Sequence, residues 1–132
     1  MLKVSLRPDA TAPGRARRHI SGIAGELPDE VVQELKLLVT ELVTNSVRHA
    51  TFDSGESVIL QVVRSAPGRI VVSVRDPGGR TLPQRSEVDL ERPGGRGLLM
   101  VDLMADRWGV ESGSETCVWF ELVLDDARVS TG

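Results

Sequence analysis

The stretch EVVQELKLLVTELVTNSVRHA, residues 30–50, carries the strongest structural signal in the chain. Its apolar side chains recur at steps of three and four residues, the spacing of one helix face, with charged residues between them. The residues of this face are Val31, Leu35, Leu38, Val39 and Leu42, with Ser46 near its end. Pro28-Asp29 precedes the stretch, and Asp29 suits the N-cap or first turn of a helix. The pattern predicts one long helix from about Glu30 to Ala50, with one face in the core.

The chain before this helix predicts a strand and a second, shorter helix. Residues 2–6 alternate between apolar and polar side chains and stop at Arg7-Pro8-Asp9, as expected of a short strand. From about Pro13 to Leu27 the chain is rich in Arg and Ala. The apolar residues of that stretch again have helical spacing, so a helix is expected there.

After the long helix, the chain predicts paired strands and a long loop. The strand-like runs cover residues 57–64, 69–75, 107–111 and 116–124. Ala66-Pro67-Gly68 indicates an antiparallel hairpin between the first two runs. Residues 80–93 show no periodicity, which favours a functional loop, and residues 97–104 favour a short apolar helix. These elements predict an α+β fold, a two-layer sandwich in which a mixed, mainly antiparallel sheet carries helices on one face.

Length and composition narrow the class of protein. With 132 residues, 40% of them hydrophobic, the chain has room for one core, and we expect one domain over residues 1–125 and a flexible tail over 126–132. A net charge of −3 argues against direct nucleic-acid binding. The single cysteine, Cys117, excludes an intramolecular disulfide. No segment resembles a signal peptide or a membrane span, so a cytoplasmic location is expected.

Two polar residues of the long helix are candidates for a binding site. Glu41 and Asn45 are four positions apart, so both lie on one stripe at the rim of the apolar face. A carboxylate and a carboxamide placed there are suited to line a cleft. The alternative is an ordinary solvated flank of the helix.

Two glycine-rich segments are further candidates. Asp76 ends a strand and is followed by Pro77-Gly78-Gly79, where a carboxylate can accept a hydrogen bond from an amino group and glycines allow close approach. The alternative is a plain turn. Gly94-Gly95-Arg96-Gly97 precedes an apolar helix, and amides at a helix start favour phosphate. The chain contains no GxxxxGK[ST] motif, which excludes a P-loop.

The order of these motifs resembles the Bergerat, or GHKL, ATP-binding fold of histidine kinases, DNA gyrase, Hsp90 and MutL. ELVTNSVRHA (residues 41–50) is most similar to the first box of the small anti-sigma-factor serine/threonine kinases. VRDPGG (residues 74–79) and GGRGLLMVDLMAD (residues 94–106) resemble their next two boxes. The resemblance covers nearly the whole chain. It implies an Mg-ATP site between the long helix and a glycine-rich lid.

The resemblance also implies roles for individual residues. Asn45 would coordinate Mg²⁺, and Glu41 would act as the base that orients or deprotonates the attacking hydroxyl. Asp76 would bind the adenine amino group, Gly78 would admit the ring, and Thr116 would reach adenine through water.

The third box would bind the phosphates of ATP. Gly95 and Gly97 would present backbone amides to them, and Arg96 would add a cation. His49 would border the phosphate region, or it is a helix-end residue that the helix dipole favours. The family often has a glycine where this chain has Arg80, which places lid closure and turnover in question.

The resemblance implies two functions of different classes. The first is an anti-sigma factor that binds a sigma factor and phosphorylates a serine or threonine of its antagonist, in a partner switch. The second is a non-catalytic ATP-sensing module that binds a protein partner. The resemblance also implies a possible homodimer. A histidine kinase or a gyrase-like enzyme is disfavoured, because the chain has no room for their additional domains.

Overall fold

The structure, a computed structural model, describes residues 1–65, 68–79 and 93–124, with the side chains of residues 93–97 left out of that description. Five strands, three helices and a short 3₁₀ turn follow one another along it. They are β1 (Leu2–Leu6), α1 (Ala12–Gly22), a 3₁₀ turn (Ala24–Glu26), α2 (Asp29–His49), β2 (Val58–Ser65), β3 (Arg69–Asp76), α3 (Pro93–Met104), β4 (Arg107–Ser112) and β5 (Thr116–Val123).

Helix α2 confirms the prediction for the long amphipathic stretch. All six residues expected on its apolar face are buried, and the structure adds Val32, Val43 and Asn45 to them. The acidic residues Asp29 and Glu30 lie in its first turn, and the basic residues Arg48 and His49 lie in its last. Both placements stabilise the helix, because each charge lies near the end of the macrodipole that carries the opposite partial charge.

The strands form one sheet in the order β1-β2-β3-β5-β4. Each ladder between described strands is antiparallel, and the described strands include no parallel pair. The predicted α+β sandwich with a mainly antiparallel sheet is confirmed. The predicted hairpin between β2 and β3 is also confirmed. Because β3 and β5 are neighbours, Asp76 at the end of β3 lies opposite Thr116 at the start of β5.

The helices cover one face of the sheet, and α2 contacts both α1 and α3. Alternate residues of the central strands point toward these helices and are buried, among them Val58, Leu60 and Val62 of β2. The opposite face carries more polar side chains. There the buried carboxylate of Glu121 pairs with Arg69 at 2.9 Å and with Arg107 at 3.8 Å.

Two helices differ from their predicted limits. Helix α1 ends at Gly22, and the rest of the predicted helix forms the 3₁₀ turn Ala24–Glu26. Glycine weakens a helix interior, which accounts for the break. Helix α3 begins at Pro93, four residues before the predicted start. Proline at the first helical position has a suitable fixed φ, so the glycines that follow it are taken into the helix.

Several predictions fall outside the described residues. They are the structure of the loop from residue 80 to 92, the role of Arg80 and the tail 126–132. Within the described residues, none of the helices combines the length and the apolar character that crossing a membrane would require.

Candidate functional site

A cleft opens between the C-terminal half of α2 and the ends of β3 and β5. The cleft is open to solvent, and the space between its lining atoms, with that solvent included, amounts to about 360 Å³. Its lining residues are Leu42, Asn45, Ser46, His49, Ala50, Asp76, Gly79, Thr116 and Val118. The cleft therefore brings together three of the predicted site residues, Asn45, Asp76 and Thr116, from three separate elements.

Asn45 contributes a buried amide to this cleft. The residue is 9% exposed, and its Nδ2 atom is buried without a hydrogen-bond partner among the described residues. A buried polar atom without a partner is unusual in a native structure, because it loses its hydration and gains nothing in return. An amide left in this state at the wall of a cleft is suited to a ligand that supplies the missing contact.

Asp76 and Thr116 form the polar end of the cleft on the sheet side. Both are buried, with exposed fractions of 7% and 5%. The Asp76 Oδ1 atom accepts a hydrogen bond from the Gly78 amide at 2.7 Å, which orients the carboxylate. Its other oxygen remains an acceptor for a donor within the cleft. A buried carboxylate beside a hydroxyl is therefore arranged to receive an amino group.

The two glycines that follow Pro77 allow the backbone to lie close to its neighbours. Gly78 has a φ of +88°, which favours glycine, and a Cβ atom there would lie 3.3 Å from Thr116 Oγ1. Gly79 lies against the end of α2, where a Cβ atom would overlap the His49 carbonyl oxygen and approach the Ala50 Cα atom at 3.1 Å. The Thr51 amide also donates to the Gly78 carbonyl at 2.9 Å.

The other predicted site residues lie around this cleft. Glu41 is half-buried one turn before Asn45 on α2 and is not among the residues that line the cleft. Gly95 lies in the first turn of α3, where amides have no partner inside the helix. Gly97 falls in the second turn, because the helix begins at Pro93. The Arg96 side chain lies outside the described part.

The roles that the resemblance implies do not include Ser46, Ala50 or Gly79, all of which line the cleft. The spacing of Ser46 predicts only that it lies on the apolar face of the helix. Gly79 gives only a weak sequence signal, because it is the second glycine of a pair and its backbone does not need the positive φ that favours glycine. Its role depends on contact with α2, which no local pattern reports.

The chain is similar to several known proteins. The chain is 27% identical over 145 aligned residues to the serine-protein kinase RsbW of Bacillus velezensis, and the alignment covers 99% of this chain and 89% of that protein. Among solved structures, the histidine kinase domain of a blue-light activated histidine kinase from Erythrobacter litoralis has a TM-score of 0.63 at 24% identity. That superposition covers 90% of this chain and 62% of the other.

The histidine kinase AdeS of Acinetobacter baumannii is a more distant structural likeness. Its TM-score is 0.53 at 7% identity, over 96% of this chain and 69% of that one. Both structural likenesses show the fold, and this chain spans less than two thirds of the Erythrobacter domain. A profile of the histidine kinase-like ATPase domain matches residues 4–122, nearly all of the sequence. The chain therefore belongs to the family of histidine kinase-like ATPase domains.

Proposed function

We propose that this protein is an Mg-ATP-dependent serine/threonine protein kinase that acts as an anti-sigma factor in a partner switch. The observation that carries the proposal is the unpartnered, buried amide of Asn45 facing the same cleft as Asp76 and Thr116. Similarity to a serine-protein kinase over 99% of the chain supports the reaction class. The partners and the switch rest on the family resemblance of the motifs.

The cleft is suited to adenine. Leu42, Ala50 and Val118 provide apolar walls for the faces of the ring. The Asp76 carboxylate would accept a hydrogen bond from the 6-amino group, and Thr116 would add a hydroxyl beside it. Gly78 carries no side chain, so the ring can approach the backbone there.

The phosphates would extend from the cleft toward Asn45 and the start of α3. Asn45 would hold Mg²⁺ through its amide oxygen, and its Nδ2 atom would then be free to donate to the nucleotide. The bound metal would neutralise part of the negative charge on the phosphates. The Gly95 amide, in the first turn of α3, would donate to a phosphate oxygen, and Arg96 would add positive charge. Gly97 has no side chain, so it would leave the backbone amide of the second turn accessible to the phosphates.

Glu41 would act on the acceptor hydroxyl. It lies one turn from Asn45 on the same helix and makes no hydrogen bond or ion pair within the described residues. Its carboxylate is therefore available to orient a serine or threonine hydroxyl or to accept its proton. Phosphorylation of an antagonist would release it, and the protein would then hold its sigma factor.

A Glu41→Gln variant tests the proposal. The variant keeps the shape of the side chain and removes the charge, so ATP binding and partner binding should persist while phosphorylation of the antagonist is lost. Candidate sigma factors and antagonists from the same genome would serve as partners, with phosphate transfer followed by mass spectrometry.

Other results would favour other functions. ATP and partner binding by the wild type without any phosphate transfer would favour a non-catalytic ATP-sensing module of the same fold. Absence of ATP binding by the wild type at millimolar concentration would overturn both functions. A homodimer, which the resemblance also implies, would be tested by light scattering with and without nucleotide.

A further inference from the structure

A side-chain hydrogen bond joins the C-terminal half of α3 to the strand that follows it. The indole Nε1 atom of Trp108, on β4, donates to the Asp102 Oδ1 atom, on α3, at 2.8 Å. Both residues are half-buried, and Trp108 packs against the hydrophobic core. Hydrogen bonds from N–H groups to a carboxylate are stronger than those to a neutral acceptor. This bond therefore ties the helix to the sheet at Asp102.

A second carboxylate holds the short connection between α3 and β4. The Asp106 Oδ2 atom accepts a hydrogen bond from the Val123 amide at 2.7 Å, and the Asp106 amide donates to the Glu121 carbonyl at 2.9 Å. Both bonds are made with β5. The C-terminal end of α3 is therefore fixed on the sheet, and the rest of the helix extends from it.

The Asp102–Trp108 bond adds a directional restraint to α3. The helix packs against α2, and among its described side chains Leu98 and Val101 are buried. Apolar contacts of this kind are non-directional, so they allow a helix to tilt by small angles. A hydrogen bond has a preferred distance and angle, so it restricts that tilt.

The inclination of α3 decides where its first amides lie. Gly95, to which the proposed function assigns a phosphate contact, precedes Asp102 by seven residues. At the rise of an α-helix this separation is about 10 Å, so a tilt of about 5° moves the Gly95 amide by about 1 Å over that length alone. A displacement of this size is enough to spoil a hydrogen bond to a ligand or the positioning of a reacting group.

We propose that Asp102 is a positioning residue for nucleotide binding, because its bond to Trp108 orients α3 so that the first amides of the helix meet the phosphates of ATP. The inference rests on the proposed ATP site and goes beyond it, since it assigns a role in phosphate binding to two residues that do not line the cleft. Loss of the bond weakens the phosphate contacts and leaves the contacts of the base with Asp76 unchanged, because those belong to the sheet.

A Trp108→Phe variant tests the inference, since it keeps an aromatic ring in the core and removes the N–H donor. Calorimetry should show that its affinity for ATP falls about tenfold, near the lower end of the value of a hydrogen bond to a charged group. Adenosine carries no phosphate, and its affinity can be measured by displacement of a fluorescent ATP analogue. That affinity should change by less than about twofold, because the base contacts are remote from the bond.

Substitutions of Asp102 test the same bond from its other side. Asp102→Asn keeps an oxygen that accepts from the indole, so it should retain more of the ATP affinity than Asp102→Ala does. The double variant Asp102→Ala/Trp108→Phe should bind ATP no more weakly than Asp102→Ala alone, since both substitutions remove one shared interaction.

Trp119→Phe is the matched control, because it changes the other tryptophan of the chain. Trp108 lies opposite Phe120 in the β4–β5 ladder, so the neighbouring Trp119 points to the other face of the sheet, where its indole lies over Gly109. This variant should leave the ratio of ATP affinity to adenosine affinity unchanged. A purely structural role of Trp108 would likewise lower the unfolding midpoint without changing that ratio.

Three results would overturn the inference. Equal weakening of ATP and adenosine by Trp108→Phe would mean that the bond maintains the fold and does not position the phosphate contacts. Unchanged ATP affinity of Trp108→Phe, beside a wild-type protein that binds ATP, would overturn this inference and leave the proposed function intact. Failure of the wild type to bind ATP would overturn both.

Discussion

The backbone carbonyl of His49, at the end of α2, lies directly against Gly79, three residues after Asp76. The neighbouring hydrogen bond from the Thr51 amide to the Gly78 carbonyl, at 2.9 Å, joins the same two segments. Together these contacts hold the helix end against the end of β3. They fix the position of Asn45 relative to Asp76, and so they set the width of the cleft between them.

Gly79→Ala should destabilise the protein by about 1–3 kcal/mol, the usual cost of forcing extra volume into a packed site. The added Cβ atom would overlap the His49 carbonyl and must push the two segments apart. Urea unfolding followed by circular dichroism would measure the loss. Because the segments form the mouth of the cleft, ATP affinity should fall as well.

Gly25→Ala is the matched control for this contact. A Cβ atom at Gly25 meets nothing within 4 Å, and the residue needs no positive φ. Its free energy of unfolding should stay within about 0.5 kcal/mol of the wild type. Equal effects of the two substitutions would show that the His49–Gly79 contact has no special role.

Asn45→Ala should abolish Mg²⁺-dependent ATP binding while the fold is kept. The buried Nδ2 atom has no partner among the described residues, so removing it should cost the free protein little stability. Calorimetry with ATP, in the presence and absence of Mg²⁺, would measure the binding. Gln33→Ala, which removes an exposed amide from the same helix, should bind like the wild type. Unchanged ATP binding by Asn45→Ala would refute the assigned site.

Asp76→Asn should weaken ATP binding about ten- to a hundredfold, the usual value of a hydrogen bond to a charged group. The substitution removes the charge, but an amide oxygen can still accept from the Gly78 amide, so the local turn should persist. Purine riboside triphosphate, which lacks the amino group, should be affected much less. Asp53→Asn, at an exposed turn, provides the control. An equal loss for both nucleotides would show that the carboxylate does not contact the amino group.

Cys117 provides a prediction about pH. Burial raises the pKa of its thiol above the ordinary 9.0, because the low-polarity surroundings disfavour the thiolate. The folded state therefore holds this proton more tightly than the unfolded state does. The resulting stability is fully present below pH 9.0 and is lost as the pH rises from there through the pKa of the folded state.

Cys117→Ala should flatten this dependence. Measured between pH 8 and 10, the free energy of unfolding should fall more steeply for the wild type than for the variant. The chain contains no tyrosine, so few other groups titrate in this range. The native thiol should also react slowly with alkylating reagents at pH 8 and quickly in denaturant. Fast native labelling would contradict the assigned burial.

Local patterns were sufficient to predict much of the fold. The three- and four-residue spacing predicted α2 to within one residue at each end, because one apolar face is needed wherever a long helix covers a sheet. The strands were predicted by alternation, which their two unlike faces require. The start of α3 was predicted four residues late, because glycine propensity argued against a helix that Pro93 in fact begins.

The chemistry of the site was only partly contained in the sequence. Asn45, Asp76 and Thr116 were identifiable by residue type and motif order, and each side chain lies on an element that the sequence predicted. These three residues meet in one cleft only in the tertiary structure. Their meeting depends on β5 pairing beside β3 and on α2 packing over the ends of these strands. The unpartnered Asn45 amide and the fit of Gly79 against His49 arise only once distant segments pack, because burial and contact are properties that no stretch of chain has alone.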